Sequence, residues 1–276
     1  MKPTTIMING MPGNMAANVA KFALKDDRFN VILKSLTGPE INEPRFSIGQ
    51  TSFQLILPKD REPAMAEIKD TASSMICVDF THPSAINDNA EFYCRHDLPF
   101  VMGTTGGDRE ALEAVVRASS IPAVIAPNMA KQIVGFQAMM AFAAENFRDL
   151  FKGYSLTVRE SHQAGKADTS GTARAMIGYF NQLGIPFTES DIVMEREPET
   201  QKSQLGVPDR YLKGHAWHTY TLRSADQTVT FQFTHNVNGR DIYAMGTLDA
   251  VLYLSEKIKE GAKATVFTMI DVLKGV

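Results

Sequence analysis

Thr4-Thr5-Ile6-Met7-Ile8-Asn9-Gly10-Met11-Pro12-Gly13-Asn14-Met15-Ala16 is the stretch on which the fold turns. Thr5–Asn9 is a short apolar run with the look of a buried strand, and a helical pattern begins at Met15 and continues to Lys25. The turn between them spells G-x-x-G-x-x-A, one step from the G-x-G-x-x-G of dinucleotide sites. Gly10 makes the tight turn, Gly13 lets the backbone approach a pyrophosphate, and the small Ala16 permits close helix–strand packing. A glycine after a strand often makes only a turn, so the reading depends on the pattern of the next hundred residues.

Those residues repeat the same alternation. Apolar runs at Val31–Leu36, Phe53–Leu57, Met75–Phe80, Phe100–Thr104 and Ala123–Ala126 are separated by helical patterns at Pro63–Ala72, Ser84–His96 and Asp108–Ala118. Pro83 suits a first helical turn, where its missing N–H costs nothing. Near-continuous apolar strands with helices between them predict a parallel, Rossmann-like sheet covered on both faces. Gly103-Thr104-Thr105-Gly106 and Ala126-Pro127-Asn128-Met129 fall at the carboxyl ends of two of these strands, where ligands of such sheets bind. At the end of the second strand an NAD site would carry an acid. Here Lys34, Ser35 and Thr37 stand there and no acid comes before Glu40, which predicts NADPH as the preferred cofactor, with NADH possible.

Beyond residue 128 the pattern changes. A helix over Gln132–Phe147 leads to a strand at Tyr154–Glu160, a helix at Thr172–Leu183 and strands at Ile192–Glu197, His215–Arg223 and Thr228–His235. Val229, Phe231 and Phe233 alternate with polar residues, as in a sheet with one buried face. Two helical segments, Leu248–Lys259 and Ala264–Leu273, finish the chain. The fold class is therefore α/β: a Rossmann-like parallel-sheet domain followed by an α+β domain.

Composition narrows the function. In 276 residues, 28 Lys and Arg face 31 Asp and Glu, which predicts no nucleic-acid partner. No apolar run reaches the roughly 18–20 residues of a membrane helix, so no membrane partner is expected. The N-terminus enters a strand at once, leaving no room for a leader, and Cys77 and Cys94 read as reduced thiols. The expectation is a cytoplasmic protein, a processed plastid form fitting as well.

The chemistry concentrates in Glu160-Ser-His162-Gln163-Ala-Gly-Lys166-Ala-Asp168-Thr-Ser170-Gly171-Thr172-Ala173. His162 and Lys166 lie on a strand-to-helix connection, and Ser170-Gly171-Thr172 opens the helix. A helix N-terminus with free N–H groups, flanking hydroxyls and a nearby lysine suits a carboxylate. A histidine beside it handles a proton near neutral pH. Each residue alone has a plainer role, Ser170 as a helix cap for example; their joint spacing points to a site for a small acid. His215 and His218, three apart on a strand, point to opposite faces, and no cysteine or acid cluster completes a zinc set, so no metal is expected.

With these motifs in order, the chain resembles 4-hydroxy-tetrahydrodipicolinate reductase (dihydrodipicolinate reductase), most of all its plant-type branch. The likeness is carried by Gly10–Met15, Asp79-Phe80-Thr81, Gly103–Gly106, Ala126-Pro-Asn128-Met-Ala-Lys-Gln, Ser161–Ala173 and Gly239-Arg240 with Tyr243-Ala244. The resemblance implies that His162 handles the proton, that Lys166 is catalytic, and that Ser170, Gly171 and Thr172 grip a carboxylate of a dicarboxylate substrate. It also implies cofactor contacts from Gly10, Met11, Pro12, Gly13, Asn14, Met15, Phe80, Gly103, Thr104, Thr105, Ala126, Pro127, Asn128 and Met129. Gln163 replaces a second histidine found in many bacterial members; it still donates a hydrogen bond to a carboxylate but does not titrate. The implied division is a dinucleotide domain of residues 1–128, rejoined by helices from about 241–276, and a substrate and assembly domain of residues 129–240 in a homodimer or homotetramer. Another NADP-linked dehydrogenase of a small amino or semialdehyde acid, or a non-catalytic NADPH-sensing module, are the rival readings.

Overall fold

The computed structural model describes residues 2–72, 74–166 and 168–275. The chain divides into two compact units, residues 1–131 with 241–276, and residues 132–240.

The first unit opens with strand β1 (Thr4–Asn9), helix α1 (Asn14–Ala23), β2 (Phe29–Ile32), β3 (Lys34–Leu36), β4 (Arg45–Ile48) and β5 (Thr51–Ile56). It continues through α2 (Arg61–Thr71), β6 (Ile76–Asp79), α3 (Ile86–Arg95), β7 (Phe100–Met102), α4 (Arg109–Arg117) and β8 (Ala123–Ile125). Helix α5 (Lys131–Asn146) enters the second unit, which contains β9 (Ser155–His162), α6 (Gly171–Gln182), β10 (Val193–Glu195), α7 (Pro198–Ser203), β11 (His215–Arg223) and β12 (Thr230–Asn238). Helix α8 (Asp241–Lys259), β13 (Val266–Phe267) and α9 (Met269–Lys274) return to the first unit.

Six strands of the first unit form a wholly parallel sheet in the order β13-β8-β7-β6-β1-β2. Every residue of β6, β7 and β8 is buried, because helices cover both faces and no position of a strand reaches water. Pro83 takes the first position of a short 3₁₀ turn, Pro83–Ala85, that runs directly into α3. Helix α8 packs beside α1 and against β6, β7 and β8. Its Gly246 lies so close to the Met129 carbonyl that a Cβ would sit 1.8 Å from the oxygen.

Two expectations are corrected here. The run Val31–Leu36 is not one strand: it breaks at the exposed Leu33, and β3 leaves the large sheet to pair in parallel with β5. The short β4, not expected from the sequence, completes that three-stranded sheet antiparallel to β5. Ala264–Leu273 is not one helix either. Val266 and Phe267 extend the large sheet beside β8, and α9 starts only at Met269, where Thr268 and Asp271 cap each other's backbone N–H groups. That reciprocal cap fixes the helix start several residues later than the apolar pattern alone suggests.

The second unit carries a four-stranded mixed sheet, β10-β9-β11-β12, in which β10 is parallel to β9 and β11 antiparallel to both neighbours. One face packs on α6 through Val158, Tyr220 and Leu222 against Met176, Ile177 and Phe180. The last strand runs Thr230–Asn238 rather than starting at Thr228, because Thr228 is held in a turn by the Asp226 carboxylate. Phe231 on this edge strand is exposed.

Gly246→Ala is expected to destabilise the first unit by about 1–3 kcal/mol through overpacking, read as a lowered urea midpoint. An unchanged midpoint would show that α8 shifts freely away from Met129.

Candidate active site

In the first unit the turn after β1 is built around the backbone of Phe80. Gly10 adopts φ +104° and its missing Cβ makes room for the Phe80 carbonyl, whose oxygen would lie 2.1 Å from a Cβ there. The Gly13 N–H donates to the Gly10 carbonyl at 2.8 Å and closes the turn. Helix α1 then begins with Gly13 in the cap position, and no side chain caps it. The first amides of α1 are thus left without an intrahelical partner, beside exposed Gly13 and Asn14, with Pro12 and Met15 half-buried. An uncapped, glycine-lined helix start of this kind fits the pyrophosphate of a dinucleotide.

The hydroxyls predicted for a 2′-phosphate turn elsewhere. Ser35 is fully buried and accepts the Met11 N–H, while Thr37 donates to the Met11 carbonyl at 2.6 Å. They brace the loop from inside, and the Met11 side chain is itself a buried peg in the core. Lys34 ion-pairs with Glu67 at 2.9 Å, and the Glu40 carboxylate folds over Gly38 just beyond β3. The side chains of Ser35, Thr37 and Met11 therefore support the loop from inside. The sequence alone does not show this, because a strand that changes sheets turns its side chains inward where a regular second strand would leave them at the edge.

Asp79, at the end of β6, organises the remaining cofactor-edge residues. Its carboxylate accepts from the Tyr93 hydroxyl at 2.7 Å, the Asn89 amide at 3.0 Å, the Thr81 N–H and hydroxyl, and the Thr104 hydroxyl at 2.9 Å. Tyr93 also accepts from Asn9, whose amide oxygen takes the Leu36 N–H. Burial and the neighbouring Asp79 push the Tyr93 phenol well above its ordinary range, which keeps it a donor. Thr104 thus serves the network and is buried, whereas Thr105 is exposed and free to face a ligand. The Phe80 ring lies over Gly103. Ala126 and Met129 are buried, Pro127 is exposed, and the Asn128 side chain accepts the Ala130 N–H just ahead of α5.

In the second unit, Val158, Glu160 and His162 share one face of β9 by strand alternation. His162 is the last residue of β9 and is buried. Gln163, half-buried, starts a tight turn whose Gln163 carbonyl accepts the Lys166 N–H at 3.0 Å. Lys166 ion-pairs with the exposed Asp168 at 2.8 Å; Ala167 between them lies outside the described residues. Ser170 caps α6, accepting the Ala173 N–H at 3.1 Å, and its hydroxyl also meets His218 Nε2 at 2.8 Å. Its side chain is turned inward, and the Gly171 and Thr172 amides, the first of the helix, are the ones its cap does not take.

Several residues of this site were not named from the sequence as candidates. Glu160, fully buried, pairs with Arg196 and accepts the Ser170 N–H at 3.2 Å. Arg196 also donates to the carbonyls of Lys166, Glu160 and Glu195, which ties the Lys166 loop to the sheet. Gln201, on α7, donates to the His162 carbonyl at 2.6 Å. His218 lies directly opposite Glu160 across the strands and His235 opposite His218. A buried acid in the apolar phase of a strand was a readable signal for Glu160. Arg196 and Gln201 carried none, since only the fold brings them close.

The electrostatics follow from this packing. Glu160 is pushed up by burial, but His218, the Arg196 guanidinium and the Ser170 amide outweigh it and hold the acid well below the usual carboxylate range. His162 is pushed down to about 4, first by burial and then by the charge of His218, with Arg196 and Lys166 adding to the effect and Glu160 opposing it. Burial likewise brings His235 to about 4. Glu160, His162 and His218 bring three ligand-type atoms within 4.8 Å of one another, the convergence that sequence spacing did not show. Arg196 already occupies one Glu160 oxygen, and its positive charge beside the cluster opposes a cation there.

A parallel-sheet nucleotide unit joined to a mixed-sheet unit with an imidazole, an amine and an open helix start defines a two-domain oxidoreductase that uses NAD(P)H. Comparison with known proteins gives the particular group. Residues 4–129 match the family model described as dihydrodipicolinate reductase, N-terminus, and residues 133–273 match its C-terminus model. The chain is 44% identical over 270 residues to 4-hydroxy-tetrahydrodipicolinate reductase 1, chloroplastic, of Arabidopsis thaliana, covering 98% of this chain and 78% of that one. It is 28% identical over 299 residues to 4-hydroxy-tetrahydrodipicolinate reductase of Dechloromonas aromatica (strain RCB), covering 99% of each. A dipicolinate-bound dihydrodipicolinate reductase from Paenisporosarcina sp. TG-14 shares the fold, with a TM-score of 0.67, 17% identity and coverage of 96% and 97%. The chain belongs to the dihydrodipicolinate reductase family.

His162 and His235 stay neutral in the folded protein at pH values where the unfolded chain, with histidines near 6.5, already binds protons. Their contribution is therefore complete above about pH 6.5 and is lost as pH falls toward 4. Urea unfolding followed by Trp217, the single tryptophan and part of β11, is expected to show falling stability across that window. A flat profile would overturn the neutral assignment.

Proposed function

We propose that this protein reduces 4-hydroxy-tetrahydrodipicolinate to tetrahydrodipicolinate in the diaminopimelate route to lysine. The observation that carries the reading is His162, a buried, neutral imidazole whose Nε2 has no hydrogen-bond partner among the described residues, in the same segment as Lys166 and the uncapped amides of Gly171 and Thr172. A dicarboxylate supplies negative charge for the free amides of the helix start, competes with Asp168 for Lys166, and brings a field that raises the His162 affinity for a proton.

Bound NAD(P)H supplies the hydride, held by the Gly10–Met15 turn with Phe80, Gly103 to Thr105 and Ala126 to Met129 at the sheet edge. The net reduction consumes one proton and releases water. His162, charged as the acid binds, and Lys166 hold protons and deliver one to the departing hydroxyl and one to the reduced ring, while the dehydration gives up one ring C–H proton, so that the net uptake is one. Gly171 and Thr172 fix one carboxylate through their amides, Ser170 shapes that turn as its cap, and Gln163 contributes a hydrogen-bond donor without titrating. Lys34 is the group that favours NADPH over NADH, since Ser35 and Thr37 face the loop. Met139, Phe142, Phe147 and Leu150 leave apolar side chains exposed on the second unit, which supports a homodimer or homotetramer. The plant relatives are named chloroplastic, and among the described residues no helix is long and apolar enough to cross a membrane. A plastid form and a cytoplasmic one both accord with these features.

The test is NADPH oxidation with substrate made in situ from pyruvate and aspartate semialdehyde by its synthase. His162→Ala and Lys166→Ala are expected to lower turnover by about 10²–10⁴-fold while cofactor binding, read by fluorescence, is retained. Near-normal turnover in either folded variant would remove that residue from the mechanism. Lys34→Ala is expected to raise KM for NADPH and leave KM for NADH unchanged; equal effects on both would end the preference assigned to Lys34.

A further inference from the structure

A row of polar side chains crosses the otherwise apolar face of the second sheet. Glu160 on β9, His218 on β11 and His235 on β12 are direct cross-strand neighbours, and His162 lies two residues beyond Glu160 on the same face. His162 and His218 meet edge to face with ring centroids 5.1 Å apart, and His218 stacks on His235 at 4.7 Å. His162 Nε2, His218 Nδ1 and both ring nitrogens of His235 are buried and have no hydrogen-bond partner among the described residues. Buried nitrogens without partners are rare because each forfeits its hydration, so such a group invites explanation.

The geometry around Glu160 supplies one. Oε1 is taken by Arg196, and Oε2 faces the imidazoles, 3.6 Å from His218 Nε2 and 3.9 Å from His162 Nε2. The second gap is one short movement away from a hydrogen bond. Glu160 itself is held from three sides, by the Arg196 guanidinium, the Ser170 N–H and the strand it sits on, so the movement belongs to His162.

We infer that Glu160 is the positioning residue of His162: when the acid binds, the His162 ring takes up a proton and closes onto the Glu160 carboxylate, which orients and stabilises the imidazolium. The step forms one N–H bond on His162 with a proton from solvent and breaks none in the protein; reduction later passes a proton on to the substrate. The charged and titratable groups facing His162 are Glu160 from β9, His218 from β11 with His235 behind it, Arg196 after β10 and Lys166, with its partner Asp168, from the loop. All but the carboxylates disfavour charge on the ring, so a single buried acid decides whether the proton is held. The same Glu160 accepts the Ser170 N–H at the start of α6, linking proton holding to the helix end that receives the substrate carboxylate. This inference rests on the reading of His162 as the proton donor.

The experiment is the pH dependence of turnover for wild type, Glu160→Gln, Glu160→Asp and His162→Gln. Glu160→Gln is expected to lower kcat on the order of 10²-fold with little change in KM, and to move the fall of kcat on the alkaline side to lower pH. Glu160→Asp, which keeps the charge, should recover part of the rate and return the profile toward wild type. If folded Glu160→Gln keeps the wild-type kcat and profile while His162→Gln is inactive, the pairing is overturned and the proton-donor reading stands. If His162→Gln is itself active, that reading fails first. Should Glu160→Gln not fold, ¹⁵N-histidine spectra of the wild-type protein at pH 7 decide the matter. Adding pyridine-2,6-dicarboxylate should protonate His162, and a ring that stays neutral in the saturated protein overturns the inference.

Discussion

The carboxylate of Asp79 is the constraint from which the nucleotide unit is built. Five donors from Thr81, Asn89, Tyr93 and Thr104 converge on it, and Asn9 extends the network to the backbone of β3. A buried acid is costly unless its oxygens are fully hydrogen-bonded, each bond to such a group being worth about 1.5–3 kcal/mol. Satisfying it fixes where β1, β3, β6 and β7 end relative to one another. Those ends place the Phe80 carbonyl against Gly10, and Gly10 places the start of α1. The glycine-lined loop is thus shaped by a polar knot behind it rather than by its own sequence alone.

The second unit buries an acid too, and resolves it differently. Asp79 is surrounded by neutral donors that are themselves satisfied, which suits a structural role. Glu160 is balanced by a cation on one oxygen and faces imidazoles with the other. Its neighbourhood retains polar atoms with no partner among the described residues, and in a low-dielectric interior such atoms respond strongly to any new charge brought close. One buried acid is therefore saturated by neutral donors, while the other keeps an oxygen facing imidazoles with buried nitrogens that have no partner among the described residues.

Much of this was legible in the chain. The alternation of apolar runs and helices announced the parallel sheet, and the local pattern placed His162 at a strand end and Ser170-Gly171-Thr172 at a helix start, because both depend on local periodicity and turn chemistry. What escaped depended on long-range placement. Lys34-Ser35-Leu36 looked like the tail of a strand, yet a change of sheet at Leu33 turned Ser35 and Thr37 inward. Val266 and Phe267 looked helical until the Thr268–Asp271 cap set the boundary. Arg196 and Gln201 reach the His162 and Lys166 segment from thirty or more residues away, a distance no local pattern spans.

The return of the last segment to the first unit has a consequence for how the protein is made. As the chain leaves the ribosome, residues 132–240 are all available before α8 and β13 exist, so the second unit is able to complete its sheet while the first remains unfinished. Until Val266 and Phe267 arrive, β8 is an open edge of buried, apolar strand, the kind of surface that pairs with other chains. Nascent protein interrupted near residue 260 would therefore carry a finished second unit and an adhesive first one. Chaperone dependence should be greatest over that last stretch of synthesis.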